Sequence, residues 1–230
     1  MLPPITYGLM NQLDAYLLSA RGWKDDQNLI SAVIPDNVSS KGWLGSGYDL
    51  YYSLSAAPNG GPAFVFTQGN IKQENCDSFL PYNSMSVMIA ATRTGNSSTG
   101  LWMGLYSMYY ARATAGINIL ALTDNNYNYN FSGWGTFNYV TTQSTSAMNL
   151  NTPYIISMTG DANSSGTYYT NTTATGTFST SKAQPYFGLG GYGPGGGFFV
   201  GEVYEVLVYN RSLSASEITT NANYLINKWF

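Results

Sequence analysis

The 230-residue chain has no histidine, one cysteine and few charges. Without histidine, neither a Ser-His-Asp nor a Cys-His triad can be assembled, and metal sites built on imidazole are excluded as well. Cys76 stands alone, so no internal disulfide can form and stability must come from packing. With no histidine to act as its base, it reads as a small buried residue and not as a nucleophile. Charged residues are 9% of the chain, against about 25% in an average soluble domain. Nine Lys and Arg against twelve Asp and Glu leave a net charge of −3 with no basic cluster to follow a phosphate backbone, so nucleic acid is not an expected partner. The opening Met1-Leu-Pro-Pro-Ile-Thr-Tyr7 has no basic stretch and no long apolar run. Neither a signal peptide nor membrane insertion is expected, and synthesis in a cytoplasm follows.

What is present is apolar, aromatic and polar without charge. At 44% hydrophobic and 15% aromatic, the chain can bury a sizeable core, and with no internal repeat or long linker one domain over residues 1–230 is expected. Runs with two-residue periodicity or continuous apolar character recur at 63–67, 85–92, 101–110, 117–123, 154–159, 166–169, 186–190 and 198–209. Turns rich in Gly, Asn and Ser separate them, notably Asp161-Ala-Asn-Ser-Ser-Gly166, which reads as a hairpin. Residues 35–62 hold many Gly and Pro and read as loops around one short strand at 48–54. Between residues 9 and 20, Leu9, Leu13 and Leu17 recur at helical spacing, which leaves a helix open beside an extended reading of 9–15.

The clearest signals lie at the C-terminal end. Gly201-Glu-Val-Tyr-Glu-Val-Leu-Val-Tyr209 is rich in Val and Tyr and reads as a strand buried on at least one face. Ser214 with Glu217 three residues on is a capping box, and Leu213 with Ile218 forms a hydrophobic staple around it. Ile218, Ala222, Leu225 and Trp229 then follow at helical spacing, so a closing helix lays one stripe on a core.

These residues carry a resemblance. The run from Gly201 through Tyr209-Asn-Arg-Ser-Leu-Ser214, with Glu217 and Tyr224-Leu-Ile-Asn-Lys-Trp229, is similar to the end of concanavalin A-like, laminin-G-like jelly-roll domains. Gly8-Leu-Met-Asn-Gln-Leu-Asp-Ala15 and Gly22-Trp-Lys-Asp25 resemble their opening, and Pro153-Tyr-Ile-Ile-Ser-Met-Thr-Gly-Asp161 resembles a middle strand. The resemblance, together with the strand series, implies an all-β, two-sheet antiparallel jelly-roll sandwich with one short C-terminal helix, residues 1–30 forming an N-terminal arm and first strand. It implies little about function, since the superfamily includes lectins, glycosidases, adhesion modules and virion proteins.

Glycosidase chemistry needs two carboxylates about 5–9 Å apart on one substrate. Glu202 and Glu205 are three apart and on a regular strand would face opposite ways. Glu205 therefore reads as a hydrogen-bonded structural carboxylate, and the chain as no enzyme. Calcium would require Asp124, Asp161 and Glu74 to converge from distant positions, so no cofactor is expected, with calcium as the remaining possibility. The Gly190–Gly197 run lacks the Lys and Ser/Thr of a phosphate loop.

The candidate contact surface is Asn126-Tyr-Asn-Tyr-Asn-Phe-Ser-Gly-Trp-Gly-Thr-Phe-Asn-Tyr139, with Tyr127, Tyr129, Trp134 and Tyr139 as the ligand- or partner-binding residues. Tyr and Trp offer rigid amphipathic area for stacking on sugars or burial in an interface, and the interleaved Asn residues supply hydrogen bonds. The plainer account puts Tyr127, Tyr129 and Phe131 on one strand face over the core. The expectation for function is a non-enzymatic virion structural protein: a phage capsid decoration, head-fibre or tail-appendage subunit at the virion surface, made in the host cytoplasm. It would bind a capsid or tail protein, copies of itself or a cell-surface glycan; a carbohydrate-binding lectin outside a virion is the alternative, and a glycoside hydrolase ranks third.

Overall fold

Short runs of β-branched and aromatic residues between Gly- and Asn-rich turns favour strands, because side chains branched at Cβ pack well on a pleated surface. The structure is a computed structural model that describes residues 4–29, 32–34, 43–47, 49–73, 84–95, 103–107, 116–121, 126–132, 139–147, 149–161, 165–179, 187–190 and 199–230. The N-terminal half supplies β1 (Leu9–Asp14), α1 (Ala15–Ala20), β2 (Gln27–Asn28), β3 (Val33–Ile34), β4 (Trp43–Gly47), β5 (Leu50–Ser53), β6 (Ala63–Phe66), β7 (Gly69–Gln73), β8 (Ser84–Arg93) and β9 (Met103–Ser107). The remainder supplies β10 (Gly116–Ala121), β11 (Asn126–Ser132), β12 (Tyr139–Ala147), β13 (Pro153–Asp161), β14 (Ser165–Thr170), β15 (Thr173–Ser179), β16 (Phe187–Leu189), β17 (Gly201–Tyr209) and α2 (Ala215–Trp229).

Among the described residues the strands form two sheets. The first runs β15-β14-β13-β8-β17-β6-β5-β2, with β1 alongside the second half of β17. The second runs β12-β11-β10-β9-β16-β7-β4-β3. Every ladder is antiparallel. Strands distant in sequence lie side by side, as in a jelly roll: β17, the last strand, sits between β8 and β6. Phe64, Phe66, Ile89, Ile155 and Val203 of the first sheet share one apolar core with Ile34, Ile71 and Leu189 of the second. The hairpin expected at 161–166 is set by the pairing of β13 with β14, where Gly160 faces Gly166.

Several regions differ from the sequence reading. The ambiguous stretch 9–20 is strand and then helix, divided at Asp14: the strand pairs with β17, and Asp14 caps α1 by accepting a hydrogen bond from the Tyr16 amide at 3.0 Å. Trp43–Gly47, read as loop, is β4. Its Gly45 is there for closeness and not for a turn, since a Cβ at that position would collide with the Leu29 carbonyl. β12 and β15 are built from Thr, Ser, Gln and Ala with little apolar alternation, which is why periodicity did not find them.

The closing helix follows its sequence signals. Glu217 N–H donates to Ser214 Oγ at 3.3 Å, and Ser214 N–H donates to Glu217 Oε2 at 2.9 Å. Leu213, Ile218, Ala222, Leu225 and Trp229 are all buried. The Trp229 ring lies between Tyr16 (centroids 4.7 Å) and Tyr204 (5.7 Å), both stacked on it, so it joins α1, β17 and α2. Replacing Trp229 by Ala should destabilise the fold by about 3–5 kcal/mol in chemical denaturation, and a change within about 0.5 kcal/mol would mean that the helix end is not docked.

Candidate functional site

The strand at the centre of the first sheet carries both glutamates weighed above. The register of β17 against β8 shifts between Val203, opposite Ala91, and Glu205, opposite Ala90. Tyr204 is thus the extra residue of a β-bulge, which turns successive side chains to the same side. Its hydroxyl donates to Glu202 Oε2 at 3.0 Å while its ring stacks on Trp229, and the Trp229 indole N–H donates to Glu205 Oε2 at 3.0 Å. Glu202 and Glu205 therefore share the α2 side of the sheet, and the opposite-face expectation is corrected by the bulge.

Sharing a side does not make them a reactive pair open to solvent. Glu205 is 0% exposed, and both its oxygens are occupied. Oε1 accepts from Gln12 Nε2 at 2.6 Å, and Oε2 accepts from Lys228 Nζ at 2.6 Å as well as from Trp229. The same Lys228 Nζ donates to Asp14 Oδ2 at 2.6 Å and to the Tyr224 hydroxyl at 3.2 Å. It lies 4.9 Å from the centre of the Trp229 ring. Asp14 and Glu205 are direct cross-strand neighbours of β1 and β17, so register alone sets the two carboxylates side by side. Burial, with the Asp14 carboxylate alongside, pushes Glu205 well above the usual carboxylate range against the pull of Lys228. Burial draws Lys228 down, but the Glu205 and Asp14 carboxylates outweigh it and hold the ammonium above its ordinary value. Sequence reasoning found Glu205 as structural and missed Asp14, Gln12 and Lys228. The signal was a lone acid within the apolar run 203–209, which requires a buried donor from elsewhere in the chain.

A second group lies towards the other end of β17. Asn28, Tyr51, Val65, Glu202 and Thr92 fall in one row across β2, β5, β6, β17 and β8 by successive register pairs. Asn28 is exposed, Tyr51, Val65 and Glu202 are half-buried, and Thr92 is buried. Burial raises Tyr51, with Asp49, Asp26 and Glu202 adding to it, and burial raises Glu202 against the hydrogen bond from Tyr204. The row offers an aromatic ring and hydrogen-bonding groups with no grouped metal ligands; among the described residues no cluster of Asp, Glu or Cys could hold a metal. Asp161 accepts from Ser212 Oγ at 2.7 Å, while Asp124, Glu74, Cys76 and the glycines 191–197 lie outside the described residues.

Three of the four sequence-predicted contact residues belong to the second sheet. Tyr127 and Tyr129 are in β11 and Tyr139 opens β12, with Tyr129 opposite Ile119 and Thr142, and Tyr139 opposite Ser132. The side chains of these three tyrosines, and Trp134 altogether, lie outside the described residues. The backbone thus brings Tyr127, Tyr129 and Tyr139 onto neighbouring strands.

This strand order, with the last strand central and followed by a helix, agrees with a family match. The model of the concanavalin A-like lectin/glucanases superfamily, of laminin-G type, matches residues 92–219. The chain belongs to this superfamily. No curated protein matches it in sequence. Among solved structures, this concanavalin A-like chain is similar to domain 4 of AbnA, a GH43 extracellular arabinanase from Geobacillus stearothermophilus, in complex with arabinotriose. The TM-score is 0.66 at 14% identity, over 93% of this chain and 98% of that one. It is also similar to the binding domain of botulinum neurotoxin DC in complex with SialylT, at a TM-score of 0.63 and 10% identity over 95% of this chain. The same toxin's binding domain in complex with rat synaptotagmin II gives a TM-score of 0.60 at 11% identity over 87% of this chain. The concanavalin A-like chain spans about half the length of those toxin domains, 52% and 51%. At these identities the likeness is one of fold.

Replacing Lys228 by Met would leave two buried carboxylates without their cation and should destabilise by about 3–5 kcal/mol near neutral pH. Because Glu205 binds its proton more tightly in the folded chain than in the unfolded one, lowering the pH removes one of those charges and should shrink the deficit. Urea denaturation of both proteins, freshly purified and of full intact mass, at roughly pH 7 and pH 5 checks this; a deficit that is equal or larger at the lower pH would contradict the charge account.

Proposed function

We propose that the chain is a non-enzymatic carbohydrate-binding module whose contact surface is the aromatic strand pair β11–β12 of the second sheet. The observation that carries this reading is the division of labour between the sheets. α2 lies against β8 and β13 and α1 against β6, so both helices are committed to the first sheet, while the Tyr- and Asn-rich β11 belongs to the second. Tyr127, Tyr129, Trp134 and Tyr139 would stack on sugar rings, with Asn126, Asn128 and Asn130 as hydrogen-bonding partners. The fold relatives solved with arabinotriose and with SialylT support a glycan as the ligand class. The non-enzymatic part is supported by Glu205, whose oxygens are engaged by Lys228, Trp229 and Gln12 beneath a helix.

Attachment to a capsid or tail protein, or to other copies of the chain, stays an expectation of the sequence to which these relatives lend no support. Titration calorimetry against arabinan-derived and sialylated oligosaccharides tests the carbohydrate reading. With a net charge of −3 and little steering, binding should persist when salt is raised to about 0.5 M. Replacing both Tyr129 and Trp134 by Ala should weaken it by at least about 2 kcal/mol if either is a hot spot. Unchanged binding in a correctly folded double variant would remove this surface from the account. A partner that soluble polysaccharide cannot displace would favour the particle role instead.

A further inference from the structure

The cluster at Lys228 holds an amine and two carboxylates in contact, largely shielded from water by aromatic rings. We propose that the folded chain joins Lys228 Nζ to the Asp14 side-chain carboxyl in an amide bond, with Glu205 as the proton relay. This reading is independent of the glycan site.

Three observations carry it. The first is contact: Lys228 Nζ lies 2.6 Å from Asp14 Oδ2 and 2.6 Å from Glu205 Oε2, so nucleophile, electrophile and relay are already assembled. Holding reactants in such geometry is worth effective concentrations of about 10⁵–10⁸ M. The second is exclusion of water. The Asp14 and Glu205 side chains are 0% exposed and that of Lys228 is 13% exposed, with the rings of Tyr16, Tyr224 and Trp229 within 5.9, 5.5 and 4.9 Å of Nζ. Condensation releases water, and a site from which water is largely excluded favours the amide over its hydrolysis. The third is the difference in role between the two acids. Glu205 is fixed through both oxygens by Gln12 and Trp229 as well as by Lys228, whereas Asp14 Oδ2 faces Lys228 and its Oδ1 is held by the Tyr16 amide. Asp14 is thus the carboxyl presented to the amine, and Glu205 the base held beside it.

The step balances without an oxidant or a co-reactant. Glu205 takes one proton from the Lys228 ammonium, and the neutral amine attacks Asp14 Cγ. Glu205 returns that proton to an Asp14 oxygen and then relays the second amine proton to the same oxygen. The C–O bond breaks, the C–N bond is complete, and one water leaves; ammonium plus carboxylate has become amide plus water, with Glu205 unchanged. Burial and the neighbouring Asp14 carboxylate raise the proton affinity of Glu205, which suits it to take a proton from an amine. The two carboxylates also stabilise the ammonium, so the reacting neutral form is scarce and the reaction is slow, which is no obstacle for a bond made once in the life of the chain. The product would tie the first strand to the last helix across 214 residues of sequence, the kind of long loop whose closure most restricts an unfolded chain.

The test is mass spectrometry of the full chain, purified folded, aged in buffer and then denatured. The intact mass should be lower than the sequence requires by one water, and proteolysis should yield one branched species joining the peptide of Asp14 to that of Lys228. Dehydration at another aspartate would also remove a water, so the branched peptide decides. Glu205→Gln, which keeps the shape and loses the relay, should carry the full mass, as should Lys228→Arg. If either variant fails to fold, the wild-type peptide map still decides. Full mass with the two peptides recovered separately, or a branch from Lys228 to any residue other than Asp14, would overturn the proposal.

Discussion

A largely buried ammonium held 2.6 Å from two fully buried carboxylates is demanding to assemble and more damaging to break, since either partner left alone is an uncompensated buried charge. The three groups come from the end of β1, the middle of β17 and the last turn of α2, so the cluster exists only when the beginning and the end of the chain are both in place. Neighbouring features depend on this meeting. Asp14 both caps α1 and pairs with Lys228, and Asn59 donates to the Lys228 carbonyl at 2.7 Å and to the Tyr16 hydroxyl at 3.2 Å, drawing the loop before β6 to the same point. Trp229 adds apolar area through Tyr16 and Tyr204 and an indole N–H to Glu205.

The same arrangement separates the work of the two sheets. A bulge at Tyr204 turns Glu202, Tyr204 and Glu205 towards α2, where Glu205 accepts from Lys228 and Trp229, and Glu202 accepts from Tyr204, whose ring stacks on Trp229. Arg211 strengthens the helix start from outside: its guanidinium donates to both oxygens of Glu217, at 3.0 and 2.6 Å, and with the Ser214 amide holds that carboxyl down at about 2. A carboxyl lowered in the folded state adds stability above its unfolded value of 4.5 and loses it as pH falls towards 2. With the helices committed to one sheet, the binding surface proposed above falls on the other.

How much of this was legible depends on the range of the interactions. The closing helix could be read because its signals are local: Ser214 and Glu217 are three apart, and Ile218, Ala222, Leu225 and Trp229 repeat at helical spacing. The fold class could be read because strand runs and turns alternate along the chain. The partners of Glu205 could not: Asp14 stands beside it only through the β1–β17 register, and Lys228, 23 residues on, reaches it only when α2 packs back on the sheet. The bulge at Tyr204 left no mark in a run of Val and Tyr, and β4 was hidden because its Gly45 answers to the Leu29 carbonyl and not to a turn. The proposed contact residues Tyr127, Tyr129 and Tyr139 were picked out by composition, and the backbone places them on adjacent strands.

α2 and β17 form one unit fastened at Glu205 and Lys228. Native-state hydrogen exchange measures this directly, since cooperative units open with a common free energy. The amides of α2 from Ile218 to Trp229 and those of β17 from Glu205 to Tyr209 should exchange through the same opening, near the free energy of global unfolding. Exchange of the helix at a markedly lower free energy, with β17 still protected, would show that the helix is an appendage and that the buried cluster does not hold the fold together.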